Sequence, residues 1–184
     1  MQTWWPKACL GYQNAMAIPQ EPNQWWSLEF VSDSRSCGSR FRISNVIDNF
    51  SRESLSAVVD SLLSGIRVGR ELDKIAEVRG YPCMVVSDNG TELTSNATLR
   101  WPQDRKVRWH YFSPSKPMQN GLVGCSKGWM RDELLNEHLF DALRRTRNLA
   151  AAWRGEFNHH RPHSSRAGLT TCYPVKRRPK PEQN

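Results

Sequence analysis

Asp88 closes the apolar run of residues 83–86 and opens an Asp-Asn-Gly turn, so a carboxylate stands at the end of a strand of the fully buried kind. Such an aspartate can be a metal ligand or simply the turn former that Asp-Asn-Gly favours. A second carboxylate, Glu29, lies inside Trp26-Ser27-Leu28-Glu29-Phe30-Val31, a run that alternates like a β-strand. Three histidines in five residues, His159, His160 and His163, raise the question of zinc. No cysteine stands at ligand spacing from them, and Pro162 ends a helix there. Cationic side chains complementing a helix C-terminus are the favoured reading. Arg144, Arg145, Arg147 and Arg154 cluster on one candidate helix, where they suit either DNA-backbone contact or a solvated face. Trp153 and Phe157, four residues apart on the same helix, read as core.

These groups need elements to hold them. Residues 26–31, 40–48 and 55–59 read as three strands with tight connections, which suggests an antiparallel meander. Ile66, Val68, Leu72, Ile75 and Ala76 fall near helical spacing, and Gly80-Tyr81-Pro82 stops that helix. Strands follow at 83–86 and 107–112, with a helix at 95–106 that carries Pro102 inside it. Two further helices are predicted over 121–135 and 142–158. The order βββαβαβαα is that of an α/β fold with a ribonuclease-H-like mixed sheet. Pro19, Pro22 and Asn23 mark a linker, so residues 1–24 are read as an irregular arm, 25–171 as the core and 172–184 as a basic, disordered tail.

The chain has 184 residues, enough for one compact domain, and a formal net charge of +8. From residue 127 onward there are twelve Lys/Arg and six Asp/Glu, so +6 of the +8 lies in the last third. That asymmetry suits a polyanion, most simply DNA. Five widely spaced cysteines without a C-x-x-C pair argue against a disulfide framework or zinc knuckle and fit a reducing, cytoplasmic setting. No apolar run has the length of a membrane span, so no membrane partner is expected.

Four segments carry a resemblance to a known family. They are Val86-Ser87-Asp88-Asn89-Gly90-Thr91-Glu92, Lys116-Pro117-Met118-Gln119-Asn120-Gly121, Arg131-Asp132-Glu133-Leu134-Leu135-Asn136-Glu137-His138-Leu139-Phe140 and Asn158-His159-His160-Arg161-Pro162-His163. In this order they are similar to the second-frame transposases of bacterial insertion sequences, over about residues 18–171. The resemblance implies an integrase catalytic core with a ribonuclease-H-like mixed sheet flanked by helices. It also implies Mg²⁺ (or Mn²⁺) held by three carboxylates for phosphodiester chemistry on DNA. By motif, the carboxylate positions are Glu29, Asp88 and residue 124, which here is Gly124. Glu29 is one methylene longer than the aspartate that the family motif carries, and Gly124 offers no ligand.

The expectation is therefore a truncated, degenerate copy that binds metal weakly and is catalytically inactive or nearly so. A live strand-transferase would need a substitute carboxylate. The other alternative is a non-enzymatic DNA-binding or dimerising fragment that interferes with an intact transposase. Asn120, Lys127 and Arg131, beside the lost carboxylate, join the four arginines as expected DNA contacts. The expected partners are DNA and another copy or an intact transposase. Asp48 aligns with a family aspartate but reads as a turn former at a strand end.

Overall fold

A computed structural model describes residues 19–87, 96–111, 127–162 and 170–171, together with the backbone but not the side chains of 96–99 within that range. Five strands form one mixed sheet in the order β3-β2-β1-β4-β5. β1 (Trp25–Ser34), β2 (Arg40–Asp48) and β3 (Ser54–Asp60) are the expected antiparallel meander. β4 (Met84–Ser87) and β5 (Arg108–Tyr111) extend the sheet in parallel on the other side of β1. The helices are α1 (Gly65–Arg79), α2 (Asn96–Arg105), α3 (residues 127–135, of which Arg131–Leu135 are π-helical) and α4 (Leu143–His159). Asp88, Asn120, Gly124, His163 and the tail from residue 172 lie outside the described residues.

β1 is the central strand, and its position explains a departure from the sequence pattern. Alternation in residues 26–31 predicts polar side chains turned outward, yet Trp25 through Val31 are all buried. A central strand covered on both faces has no outward side. Ser27 and Glu29 are thus enclosed, at 1% and 3% exposure.

α1 covers one face with Val68, Leu72, Ile75 and Ala76, while Ile66 of the predicted stripe points to solvent. Ser64 caps its start by accepting from the Arg67 N–H, and Gly80, at φ 80°, ends it in a conformation a side chain would resist. Gly69 lets α2 come close, since a Cβ there would stand 3.0 Å from Trp101 Cδ1. Asp73 of α1 accepts from Tyr81 Oη, Trp101 Nε1 and Arg105 Nε, at 3.0–3.1 Å. Burial pushes the Asp73 carboxyl up, but these donors outweigh it and hold it below the ordinary aspartate value. Pro102 stands inside α2 as the sequence indicates.

Residues 19–24, read as part of the arm, are bonded into the domain. The Asn23 side chain donates to the Arg79 and Gly80 carbonyls and accepts from Trp26 Nε1, and its backbone adopts φ 66°, a region asparagine tolerates. Cys83, just before β4, is disulfide-bonded, a crosslink that cysteine spacing did not signal. Cys37 is a free, exposed thiol in the β1–β2 turn.

Candidate functional site

The two faces of the sheet differ in what they bury. Trp26, Leu28 and Phe30 of β1 point to the α1 side and join Val46, Leu55, Val85, Leu72 and Trp101 in one continuous apolar cluster. The odd-numbered positions of β1 point to the α4 side. There Val31, Ile43 and Val59 pack with Met130 and Leu134 of α3 and with Ala150, Trp153 and Phe157 of α4. A separate small cluster, Trp25, Met84 and Val86, lies further back along the same face. Between the two, β1 carries Glu29 and Ser27, and β2 places Asn45 directly opposite Glu29. A polar gap thus divides the core on this face alone, with Glu29 at its centre.

The described pairing of β1 with β4 ends one residue short of Glu29. The parallel register pairs Trp26 with Val85 and Leu28 with Ser87, so Ser87 stands beside the residue preceding Glu29. Asp88, the next residue in sequence after β4, is outside the described residues. A buried carboxylate in a gap between apolar clusters suits one ligand of a hard divalent cation. No group of three His, Cys, Asp or Glu that could hold a metal alone occurs among the described residues.

A hydrogen-bond chain that the sequence did not reveal supports the gap. Asn45 Oδ1 accepts from Ser54 Oγ at 2.8 Å. Ser54 of β3 is in turn gripped by Asn158 of α4, whose Oδ1 accepts from the Ser54 N–H (2.8 Å) and whose Nδ2 donates to the Ser54 carbonyl (3.0 Å). The Asn158 carbonyl accepts from Thr171 Oγ1. Asn158 opens the Asn-His-His-Arg-Pro-His motif, so the motif was visible but its partner, 104 residues away, was not. Ser27 Oγ donates to Asn49 Oδ1 in the same gap.

Asp48 takes the turn-forming role expected of it. Its Oδ1 accepts from the Phe50 and Ser51 N–H groups and its Oδ2 from the Asn23 N–H. Burial dominates over these donors and pushes its carboxyl above the ordinary aspartate value.

The arginines do not form one face. Arg147 Nε donates to the Val59 carbonyl and its guanidinium pairs with Asp60, and Arg154 Nε donates to the Ser54 carbonyl. Both are spent on the outer edge of β3. Arg145 pairs with Asp141 one turn back. Arg144 on α4 and Arg131 on α3 are exposed. Lys127, at the first described residue of α3, is half-buried. Near the end of α4, His159 Nδ1 lies 2.9 Å from the Gly155 carbonyl, a helix-end contact of the kind favoured from sequence. Arg161 ion-pairs with Glu133 and lies 4.5 Å over the Trp129 ring, and Trp153 Nε1 donates to the other Glu133 oxygen. The π-helical turn of α3 thereby presents Glu133 to both.

Models of the integrase core domain match residues 19–117 and 105–170. The chain belongs to the integrase core domain family. It is 42% identical over 150 residues to the insertion element IS407 uncharacterized 31.7 kDa protein of Burkholderia multivorans, covering 82% of this chain and 54% of that one. It is 40% identical over 159 residues to the insertion element IS476 uncharacterized 39.2 kDa protein of Xanthomonas euvesicatoria, covering 86% and 46%. The chain thus spans about half the length of these relatives. Among solved structures, a chain of the simian T-cell lymphotropic virus intasome in complex with PP2A regulatory subunit B56 gamma superposes with a TM-score of 0.67 at 18% identity, covering 90% of this chain and 59% of that one. The HTLV-2 integrase catalytic core domain in complex with magnesium, in its trimeric form, gives 0.61 at 17% identity, covering 82% and 94%. At these identities the likeness carries the fold, a ribonuclease-H-like mixed sheet flanked by helices. No described helix of this integrase core is long and apolar enough to cross a membrane.

Proposed function

We propose that this integrase core is a transposase-derived, DNA-directed domain in which metal-dependent phosphodiester chemistry is impaired. The observation that carries the reading is Glu29, buried at the centre of the sheet in the polar gap beside β4, set against the glycine at position 124. Glu29 and Asp88 are the proposed ligands for Mg²⁺ or Mn²⁺. When bound, such ions supply activation of the attacking oxygen and stabilisation of the leaving oxygen. With two carboxylates in place of three, the site falls short of balancing two divalent ions, and the added methylene of Glu29 shifts its oxygens by about one bond length against Mg²⁺ distances that tolerate little deviation.

DNA is the proposed partner, with Arg131, Arg144 and Lys127 as the described contacts and Asn120 beside them in sequence. A second copy or an intact transposase and a cytoplasmic setting belong to the same proposal. The test is a nicking and strand-transfer assay on element ends with Mg²⁺ or Mn²⁺. Wild type is expected to show no turnover, and the double variant Glu29→Asp/Gly124→Glu to gain metal affinity beyond the sum of the single changes, since ligands of one site act as a unit. Metal-dependent turnover by wild type that Asp88→Ala abolishes would overturn the impairment.

A further inference from the structure

Asn45 has no exposed surface, and its Nδ2 has no hydrogen-bond acceptor among the described residues. Buried amide donors are nearly always satisfied, so an orphan at this depth needs an explanation. Its other end is fixed, because Oδ1 accepts from Ser54 Oγ at 2.8 Å and Ser54 is itself held through both backbone atoms by Asn158. That anchoring leaves Nδ2 as the free end of the side chain. The residue directly across the β1–β2 ladder is Glu29, and opposed side chains on one face of an antiparallel pair lie within reach of each other. The reverse amide orientation would set an acceptor beside a carboxylate, so the donor orientation is the one the neighbourhood selects.

We infer that Asn45 is a positioning residue for Glu29: when the carboxylate takes up a divalent cation, the Asn45 amide donates to its non-ligating oxygen and fixes its rotamer. The bond is charge-assisted, and the chain Asn45–Ser54–Asn158 braces it against α4. Outer groups of this kind orient a ligand that would otherwise sample several rotamers, and removing one costs metal affinity without removing a ligand. The inference rests on the proposal that Glu29 is a metal ligand.

Mn²⁺ binding to the full chain, followed by electron paramagnetic resonance, separates the two ideas when read beside thermal melts. It is measured in wild type and in the Gly124→Glu background. Asn45→Leu, which keeps the volume and removes the donor, is expected to weaken Mn²⁺ about ten-fold. Asp73→Ala, which removes the acceptor of three donors on the α1 side of the sheet, is expected to lower the melting temperature while leaving the affinity unchanged. Should Asn45→Leu fail to fold, the wild-type protein still answers through its Asn45 side-chain amide resonance. That resonance should move downfield on Mg²⁺ addition and stay still in Glu29→Gln. Wild-type affinity in Asn45→Leu, or a static amide resonance where Glu29-dependent binding is present, overturns the role of Asn45 and leaves the metal site standing. Absence of Glu29-dependent Mn²⁺ binding in both backgrounds overturns both.

Discussion

The sheet has one face built for stability and one that gives some of it up. Towards α1 and α2, Trp26, Leu28 and Phe30 of β1 all contribute apolar side chains to a single cluster. Towards α3 and α4, the same strand spends two positions on Ser27 and Glu29, and the apolar packing splits into two clusters around them. Burying a carboxylate carries a desolvation cost that a leucine would avoid. A fold keeps such a residue on its central strand when the position serves something other than packing. The contrast therefore singles out Glu29, the proposed ligand, without reference to any motif.

The largest test of the contrast is a truncation on the apolar face. Trp26→Ala removes a fully buried ring from the continuous cluster and is expected to cost about 3–5 kcal/mol in denaturant unfolding. On the other face, Asn158→Ala takes the side-chain acceptor from the Ser54 N–H and leaves its carbonyl to Arg154 alone, and should cost about 1–3 kcal/mol. Glu29→Gln is expected to be the mildest of the three, within about 1 kcal/mol of wild type, because it keeps the shape and spares the cost of burying a carboxylate. A loss of several kcal/mol in Glu29→Gln would mean that the carboxylate makes an interaction that stabilises the fold, and the contrast between the faces would dissolve.

Smaller effects sharpen the division among the arginines. Arg131→Gln and Arg144→Gln should each flatten the log–log salt dependence of duplex DNA binding by about 0.9 per lost phosphate contact. Arg147→Gln and Arg154→Gln should instead lower the melting temperature, since they abandon carbonyls on β3. A salt slope that responds equally to all four would restore a single DNA-binding face.

The smallest effects are in pH. Asp48 keeps a proton in the folded protein that the unfolded chain has released, so unfolding free energy should fall as pH rises from the ordinary aspartate value through the raised folded value. Asp73 has the opposite sign: its contribution is complete above the ordinary value and is lost as pH falls through the lowered folded value. Asp48→Asn should remove the first slope and Asp73→Asn the second, each read from urea midpoints across pH.

Local chemistry was readable from sequence, and distant pairing was not. The meander, α1 with its Gly80 stop and the apolar β4 follow from periodicity and turn residues over short windows. Asp48 read as a turn former because its partners Phe50 and Ser51 are two and three residues away. The polar gap was half visible: Glu29 stood out, but its opposition to Asn45 depends on a strand register that no local pattern fixes. Arg147 and Arg154 read as a cationic face because the carbonyls that hold them come from β3, 88 and 100 residues earlier. Ile66 was placed in the buried stripe by spacing alone and faces solvent because α1 meets the sheet through Val68 and Leu72.

The grip of α4 on Ser54 and Val59 has a consequence for how this chain is made. Arg147, Arg154 and Asn158 supply to the outer edge of β3 the donors and acceptor that a sixth strand would otherwise offer. Those side chains leave the ribosome about a hundred residues after β3 does, roughly 5–20 seconds later at ordinary synthesis rates. Throughout that interval β3 is an open edge, available to any other extended segment that reaches it. Arrival of α4 closes the interval by giving the edge of β3 the partners it has in the folded domain.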